Sequence, residues 1–331
     1  MKKNTFEHFI LKVLRKLYAK TFDSYQLPPI QREENPDKAS EIIFNLLIDN
    51  EPCMIARFGS TELSALVNYL GVNSKHHSIL KYIRGEQPEW WWNKSIMNQM
   101  QQWSGFFPPT PENMQRFGDL MMQDMKELDL LGCWIKNEAY FTKELEHIQR
   151  VHLRLLEPFW ADKPWTRCLK NKNIVVVHPF TEDILSQYNN RTLLFSNPDT
   201  LPKFASLRTV KAVQSLGGED NGFKDWFEAL KWMEDEIDKE DYDVCLIGCG
   251  AYGFPLAAHV KRQGKKAVHL GGALQLLFGI RGKRWENPSY GVREWGIPYG
   301  SYSSLMNKFW VRPGENERPM NANQVESGCY W

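Results

Sequence analysis

The chain has 331 residues, of which 42% are hydrophobic and 13% aromatic, with 13 Trp. That much apolar area offsets the ordering entropy of a long chain and excludes intrinsic disorder over most of it. Lys and Arg total 41 against 40 Asp and Glu, and the net charge of +1 excludes a general electrostatic drive toward nucleic acid. The six Cys (Cys53, Cys133, Cys168, Cys245, Cys249, Cys329) are scattered. This suits neither a zinc ribbon nor a secreted disulfide frame and points to a reducing compartment.

No stretch reaches the roughly 20 apolar residues of a membrane span, and no signal-peptide core follows Met1–Lys3, so a cytoplasmic protein is expected. Residues 1–22 carry Phe6, Phe9, Ile10, Val13, Leu14, Leu17 and Tyr18 at helical spacing among Lys2, Lys3, Lys12, Arg15, Lys16 and Lys20. This is a basic amphipathic helix, suited to packing on its own domain or a second subunit, or to peripheral contact at the inner face of the plasma membrane.

A linker, Leu27-Pro28-Pro29 and Gln31–Lys38, leads into a helix-rich α/β lobe over residues 39–157. Its expected elements are helix Ser40–Ile48, buried strand Cys53–Phe58, helix Thr61–Leu70, and mostly helical chain from about residue 75 to 130. Within that stretch Thr110-Pro111 opens a helix whose face is Met114, Phe117, Met121, Met125 and Leu128. Strand Cys133–Lys136 and helix Thr142–Leu156 close the lobe, and Pro158–Lys172 connects it onward. Residues 173–285 alternate as strand Ile174–Val177, helix Glu182–Tyr188, strands Leu193–Phe195 and Thr209–Val213, helix Phe223–Ile237, strand Asp243–Ile247, helix Phe254–Gln263 and strand Ala267–Leu270. Continuous apolar strands such as IVVV and VCLI require a sheet covered on both faces. The fold class is therefore α/β, with a Rossmann-like, mostly parallel, nucleotide-binding sheet in the C-terminal half. Residues 286–331 form an irregular tail that wraps the surface.

Gly248-Cys249-Gly250-Ala251-Tyr252-Gly253 is a G-x-G-x-x-G between a strand and a helix. Gly248 allows the tight turn, Gly250 admits a phosphate, Gly253 permits close helix packing, and the amides flanking Cys249 and Tyr252 face an anion at a helix N-terminus. The next strand ends in Val268-His269-Leu270-Gly271-Gly272 without the acid a nicotinamide cofactor would want on its ribose, which favours a nucleotide or nucleotide-sugar phosphate. Gly271 and Gly272 begin a second Gly-rich turn, and Arg281, Lys283 and Arg284 are placed to neutralise a leaving diphosphate. His178 and His269 end their strands and are candidates for phosphate binding or acid–base work. In Arg57-Phe58-Gly59-Ser60-Thr61-Glu62, Ser60 or Thr61 is a candidate helix cap. Glu62 is a candidate base or positioning group, and Arg57 a partner for a phosphate or for Glu62.

Arg57–Glu62, Val177-His178-Pro179-Phe180 and Gly248–Gly253, in this order, resemble bacterial polysaccharide-biosynthesis proteins related to the GT-D type glycosyltransferases, which carry R-[FY]-G-D-G-E. The resemblance implies transfer of a sugar from a nucleoside-diphosphate donor to a hydroxyl of a glycan or lipid-linked acceptor in surface polysaccharide synthesis. It also implies that Arg57, Ser60 and Glu62 stand at the donor. Ser60 replaces the family's Asp and Thr61 its second Gly, which removes one of two carboxylates that would hold Mn²⁺ or Mg²⁺. Two other readings use the same residues: a dinucleotide- or S-adenosylmethionine-dependent enzyme, and a non-catalytic component that binds glycan or protein.

Overall fold

Seven short runs, the central ones largely apolar, form the strands of one sheet. They are β1 Cys53–Ala56, β2 Leu130–Cys133, β3 Gln149–His152, β4 Asn173–His178, β5 Ser206–Lys211, β6 Val244–Ile247 and β7 Lys266–His269. The computed structural model describes residues 2–215, 221–317, 328, 330 and 331, so Cys329 lies outside the described residues. The strand order is β3-β2-β1-β7-β6-β4-β5, and every neighbouring pair is parallel. Residues 39–157 and 173–285 thus contribute strands to one continuous sheet, joined where Met54 pairs with Ala267.

The helices are α1 Lys2–Thr21, α2 Pro36–Ile48, α3 Ser60–Val72, α4 Ile79–Arg84, α5 Lys94–Ser104, α6 Pro111–Asp124, α7 Thr181–Asn189, α8 Trp226–Asp238, α9 Gly253–Arg262, α10 Leu274–Leu277, α11 Lys283–Glu286 and α12 Val292–Trp295. Side chains alternate along each strand, so two cores form, one per face. Met54, Ala56, Val175, Val177, Cys245 and Ile247 meet α3, α5, α6, α8 and α9 on one face. Cys53, Ile55, Ile174, Val176, Val244 and Leu246 meet α2, α7 and α10 on the other, together with Tyr302, Trp310 and Trp331 of the tail. The tail therefore closes a core as well as wrapping the surface. Trp285 belongs to that second core. Glu157 ties the tail down: its buried carboxylate accepts from the Tyr302 hydroxyl (2.8 and 3.0 Å) and from Trp160 Nε1 (2.8 Å).

Four sequence expectations are corrected. The expected helix Thr142–Leu156 contains the terminal strand β3, paired with β2 and bridged on its other side by Glu33, and 3₁₀ turn Leu153–Leu156. Expected strand Leu193–Phe195 is instead 3₁₀ turn Arg191–Leu193 followed by buried Leu194, whose carbonyl accepts from Trp310 Nε1. The strand expected at Cys133–Lys136 ends at Cys133, because Trp134 N and Ile135 N turn to the Glu138 carboxylate (3.1 and 3.2 Å). Helix α3 begins with Gly59 as its N-cap and no side-chain capping bond, so neither Ser60 nor Thr61 caps it. Thr110 does cap α6, accepting from Asn113 N, with Pro111 in the first turn.

Candidate functional site

In a parallel sheet the carboxyl ends of all strands share one edge, and loops leaving that edge build the crevice in which open α/β folds hold ligands. Here the loops after β1, β2, β4, β5, β6 and β7 line a single cleft with about 1090 Å³ of empty space, its open mouth included. Arg57, Ser60, Glu62, His178, Gly248, Gly250, Tyr252, His269, Gly271, Gly272 and Arg284 all line it. Gly253 and Lys283 do not. Lys283 is an exposed residue of the first turn of α11. Gly253 stands behind the wall: a Cβ there would come within 2.1 Å of His269 Cε1, so the missing side chain is the space the imidazole fills.

The geometry of the centre follows from close backbone approach. A Cβ on Gly248 would stand 2.7 Å from the Gly271 carbonyl and 2.9 Å from His178 Cδ2, so the β6 and β7 turns touch beside His178. Gly250 (φ +57°) and Gly271 (φ +64°) occupy the left-handed region that side chains rarely enter. Gly250 is exposed, and a Cβ on Gly271 would lie 3.5 to 3.7 Å from the Arg57 side chain. Glu62 folds back over Gly59, its Oε2 1.8 Å from where a Cβ on that glycine would be, and is 9% exposed.

Two sets of backbone N–H groups at this edge lack partners among the described residues. One is Ser60, Thr61 and Glu62 at the uncapped start of α3, where the first amide to find an acceptor is Leu63 N, bonded to Gly59 O. The other is Cys249, Gly250 and Ala251, ahead of the bond from Tyr252 N to Cys249 O. Unpaired amides at helix starts carry partial positive charge and suit anions. The Arg57 guanidinium makes no hydrogen bond or ion pair among the described residues; it lies over the Trp134 ring at 5.2 Å. Burial pulls its pKa down, and the charge of Glu62 pulls it up. Arg284 is held differently, over the Tyr330 ring at 4.9 Å with a bond to its hydroxyl of 3.4 Å.

Both strand-end histidines are buried and neutral. Burial lowers His178 to about 3, and burial with the nearby Arg57 charge lowers His269 to about 3. His178 Nδ1 accepts from Phe180 N (3.0 Å), which leaves the proton on Nε2 as a donor. His269 Nδ1 donates to Ile247 O (3.2 Å), which leaves Nε2 as an acceptor. In this state the two rings together present one donor and one acceptor.

Tyr252 and Gly272 serve the wall. The Tyr252 ring stacks on Trp226 at 5.0 Å and its hydroxyl meets Ser215 Oγ at 3.1 Å, so the side chain is packed away from the cleft centre. The Tyr330 ring covers Gly272, where a Cβ would come within 2.2 Å of Cε1. Sequence reasoning did not single out Trp103, Trp134, Ala212–Ser215, Gln275, Tyr330 or Trp331, which also line the cleft. Trp134 and Ala212–Ser215 directly follow β2 and β5, a strand-end signal that was there to be read. Tyr330 and Trp331 carry no local signal.

Among the described residues Glu62 is the sole carboxylate lining the cleft, and no group of three His, Cys, Asp or Glu is placed to hold a metal ion. A hard divalent cation takes several oxygen ligands, and these residues do not fit one. The positive charge present is that of Arg57, Arg284 and the unpaired amides.

No protein-family profile matches the sequence, and no curated protein matches it. The chain is similar in structure to one described as "A New Glycosyltransferase (DUF1792) from Streptococcus sanguinis", with a TM-score of 0.40 and 10% identity, over 74% of this chain and 85% of that one.

Proposed function

We propose that this protein is a glycosyltransferase that takes a nucleoside-diphosphate sugar in the strand-end cleft and moves the sugar to a hydroxyl acceptor. One observation carries the reading: the amides of Ser60–Glu62, Cys249 and Gly250, and the guanidinium of Arg57, all without partners among the described residues, line one cleft. A diphosphate offers the acceptors those donors lack. The surface-glycan pathway and the donor role of Arg57, Ser60 and Glu62 rest on the resemblance of the Arg57–Glu62 segment.

In the transfer, a bond forms between the acceptor oxygen and the anomeric carbon as the bond from that carbon to the diphosphate oxygen breaks. The hydroxyl proton passes to the Glu62 carboxylate, and the charge on the departing diphosphate falls to Arg57 and the amides. His178 Nε2–H and His269 Nε2 orient sugar or ribose hydroxyls. Trp103, 43% exposed on the cleft wall, offers its face to the base.

The test is incubation with a panel of nucleoside-diphosphate sugars, reading release of the nucleoside diphosphate, beside thermal shifts with the diphosphates themselves. Release by the wild type, lost in Glu62→Gln with the thermal shift retained, supports the reading. Glycan binding without any nucleotide shift favours a non-catalytic component, and shifts with NAD or S-adenosylmethionine alone favour a different enzyme class.

A further inference from the structure

Helix α1 is mounted the wrong way round for a helix that belongs only to its own domain. Its polar and mixed side chains face the protein: His8 stacks on Trp91 at 4.0 Å, Lys12 pairs with Glu89 at 3.4 Å, and Arg15 sits 4.8 Å over the Tyr82 ring. Six of its apolar side chains face outward. Phe6 is 67% exposed and Leu17 54%, and Phe9, Ile10, Val13 and Leu14 are exposed with them. At about 100° per residue these six occupy a stripe about 140° wide. Lys16 and Lys20, both exposed, fall at one edge of that stripe, Lys16 just outside it and Lys20 just within. Over Lys2–Thr21 the charges are Lys2, Lys3, Lys12, Arg15, Lys16 and Lys20 against Glu7 alone. Helix α4, on which α1 packs, adds exposed Ile79 and Leu80 with exposed Lys81 and Arg84.

We propose that this face docks on an anionic lipid bilayer, with α1 lying in the interface, its apolar stripe among the acyl chains and its lysines at the headgroups. Charge complementarity selects the occupant. An isologous contact with a second copy would set one strongly cationic helix against another, whereas a surface rich in acidic headgroups meets both the stripe and the cations. No helix among the described residues is long and apolar enough to cross a membrane, so the association proposed is peripheral.

The test uses the full chain, sedimented with phosphatidylglycerol/phosphatidylcholine vesicles and with pure phosphatidylcholine vesicles, beside light scattering without lipid. Binding to the anionic vesicles, weakened by salt and by Lys16→Glu with Lys20→Glu, is expected. Leu14→Glu and Leu17→Glu should each cost about tenfold or more in vesicle affinity, with melting temperature and nucleotide shifts unchanged because both sites are exposed. Failure to bind anionic vesicles overturns the proposal, as does binding indifferent to the two leucine changes. A dimer dissolved by Leu17→Glu, without lipid binding, assigns the face to a second copy instead. These readouts do not depend on the chemistry of the cleft.

Discussion

Arg57→Met separates a ligand-binding cation from a structural one. In the folded protein the guanidinium has no hydrogen bond or ion pair among the described residues; its neighbours are the Trp134 ring and the Gly271 turn. A half-buried, unpaired cation is a net desolvation cost without ligand. Removing the cation–π interaction with Trp134 costs about 0.5–1 kcal/mol, and a methionine on the same ring recovers part of it. The melting temperature of the unliganded variant should therefore match or exceed that of the wild type. With ligand the sign reverses. A charge-assisted hydrogen bond to phosphate contributes about 1.5–3 kcal/mol, so affinity for a nucleoside diphosphate should fall roughly ten- to 150-fold. Calorimetric titration beside unliganded thermal melts reads both signs. A variant that melts lower yet binds as well as the wild type would refute the reasoning, because Arg57 would then be holding the fold rather than the ligand.

Gly253→Ala should lower the melting temperature: helix propensity favours alanine by about 1 kcal/mol, but a Cβ 2.1 Å from His269 Cε1 brings an overpacking cost of about 1–3 kcal/mol. Burial raises Glu157 from 4.5 to about 7. The folded state therefore holds this proton more tightly, and its contribution of about 3 kcal/mol is present below pH 4.5 and lost as pH rises through 7. Compared with Glu157→Gln, the wild type should lose stability between those limits, and parallel melting curves across pH would contradict this. Trp103→Ala should weaken nucleoside diphosphate binding by about 1–3 kcal/mol, the worth of a stacked base, while inorganic pyrophosphate binds as before. Lys283→Ala should leave nucleotide affinity unchanged, since the side chain lies outside the cleft lining.

The sheet was legible where its strands are covered on both faces. Ile174–Val177 and Val244–Ile247 are continuous apolar runs because each residue meets a core on one side or the other. Strand β3 was not legible: Gln149-Arg150-Val151-His152 is the last strand of the sheet, bordered beyond β2 only by a bridge to Glu33, its first residue is exposed, and its apolar spacing with Leu145 and Leu155 mimics a helix. The cleft was legible where the strand-end rule applies, which brought Arg57, His178, Gly248, Gly250 and His269 to one place. It was misread where sequence adjacency stood in for geometry. Lys283 neighbours Arg284 in the chain, yet the helical turn of α11 sends it to the surface while Arg284 meets Tyr330. Tyr330 and Trp331 reach the cleft only because a long irregular tail returns across the sheet edge, a tertiary fact with no local pattern.

The central claim is that the strand-end amides and Arg57 hold a diphosphate. The most direct measurement is a crystal structure of the protein grown with a mixture of nucleoside diphosphates. The account predicts phosphate oxygens within hydrogen-bond distance of the Cys249 and Gly250 amides, with Arg57 turned onto them. A nucleotide bound elsewhere, with this corner of the cleft holding only water, would contradict it.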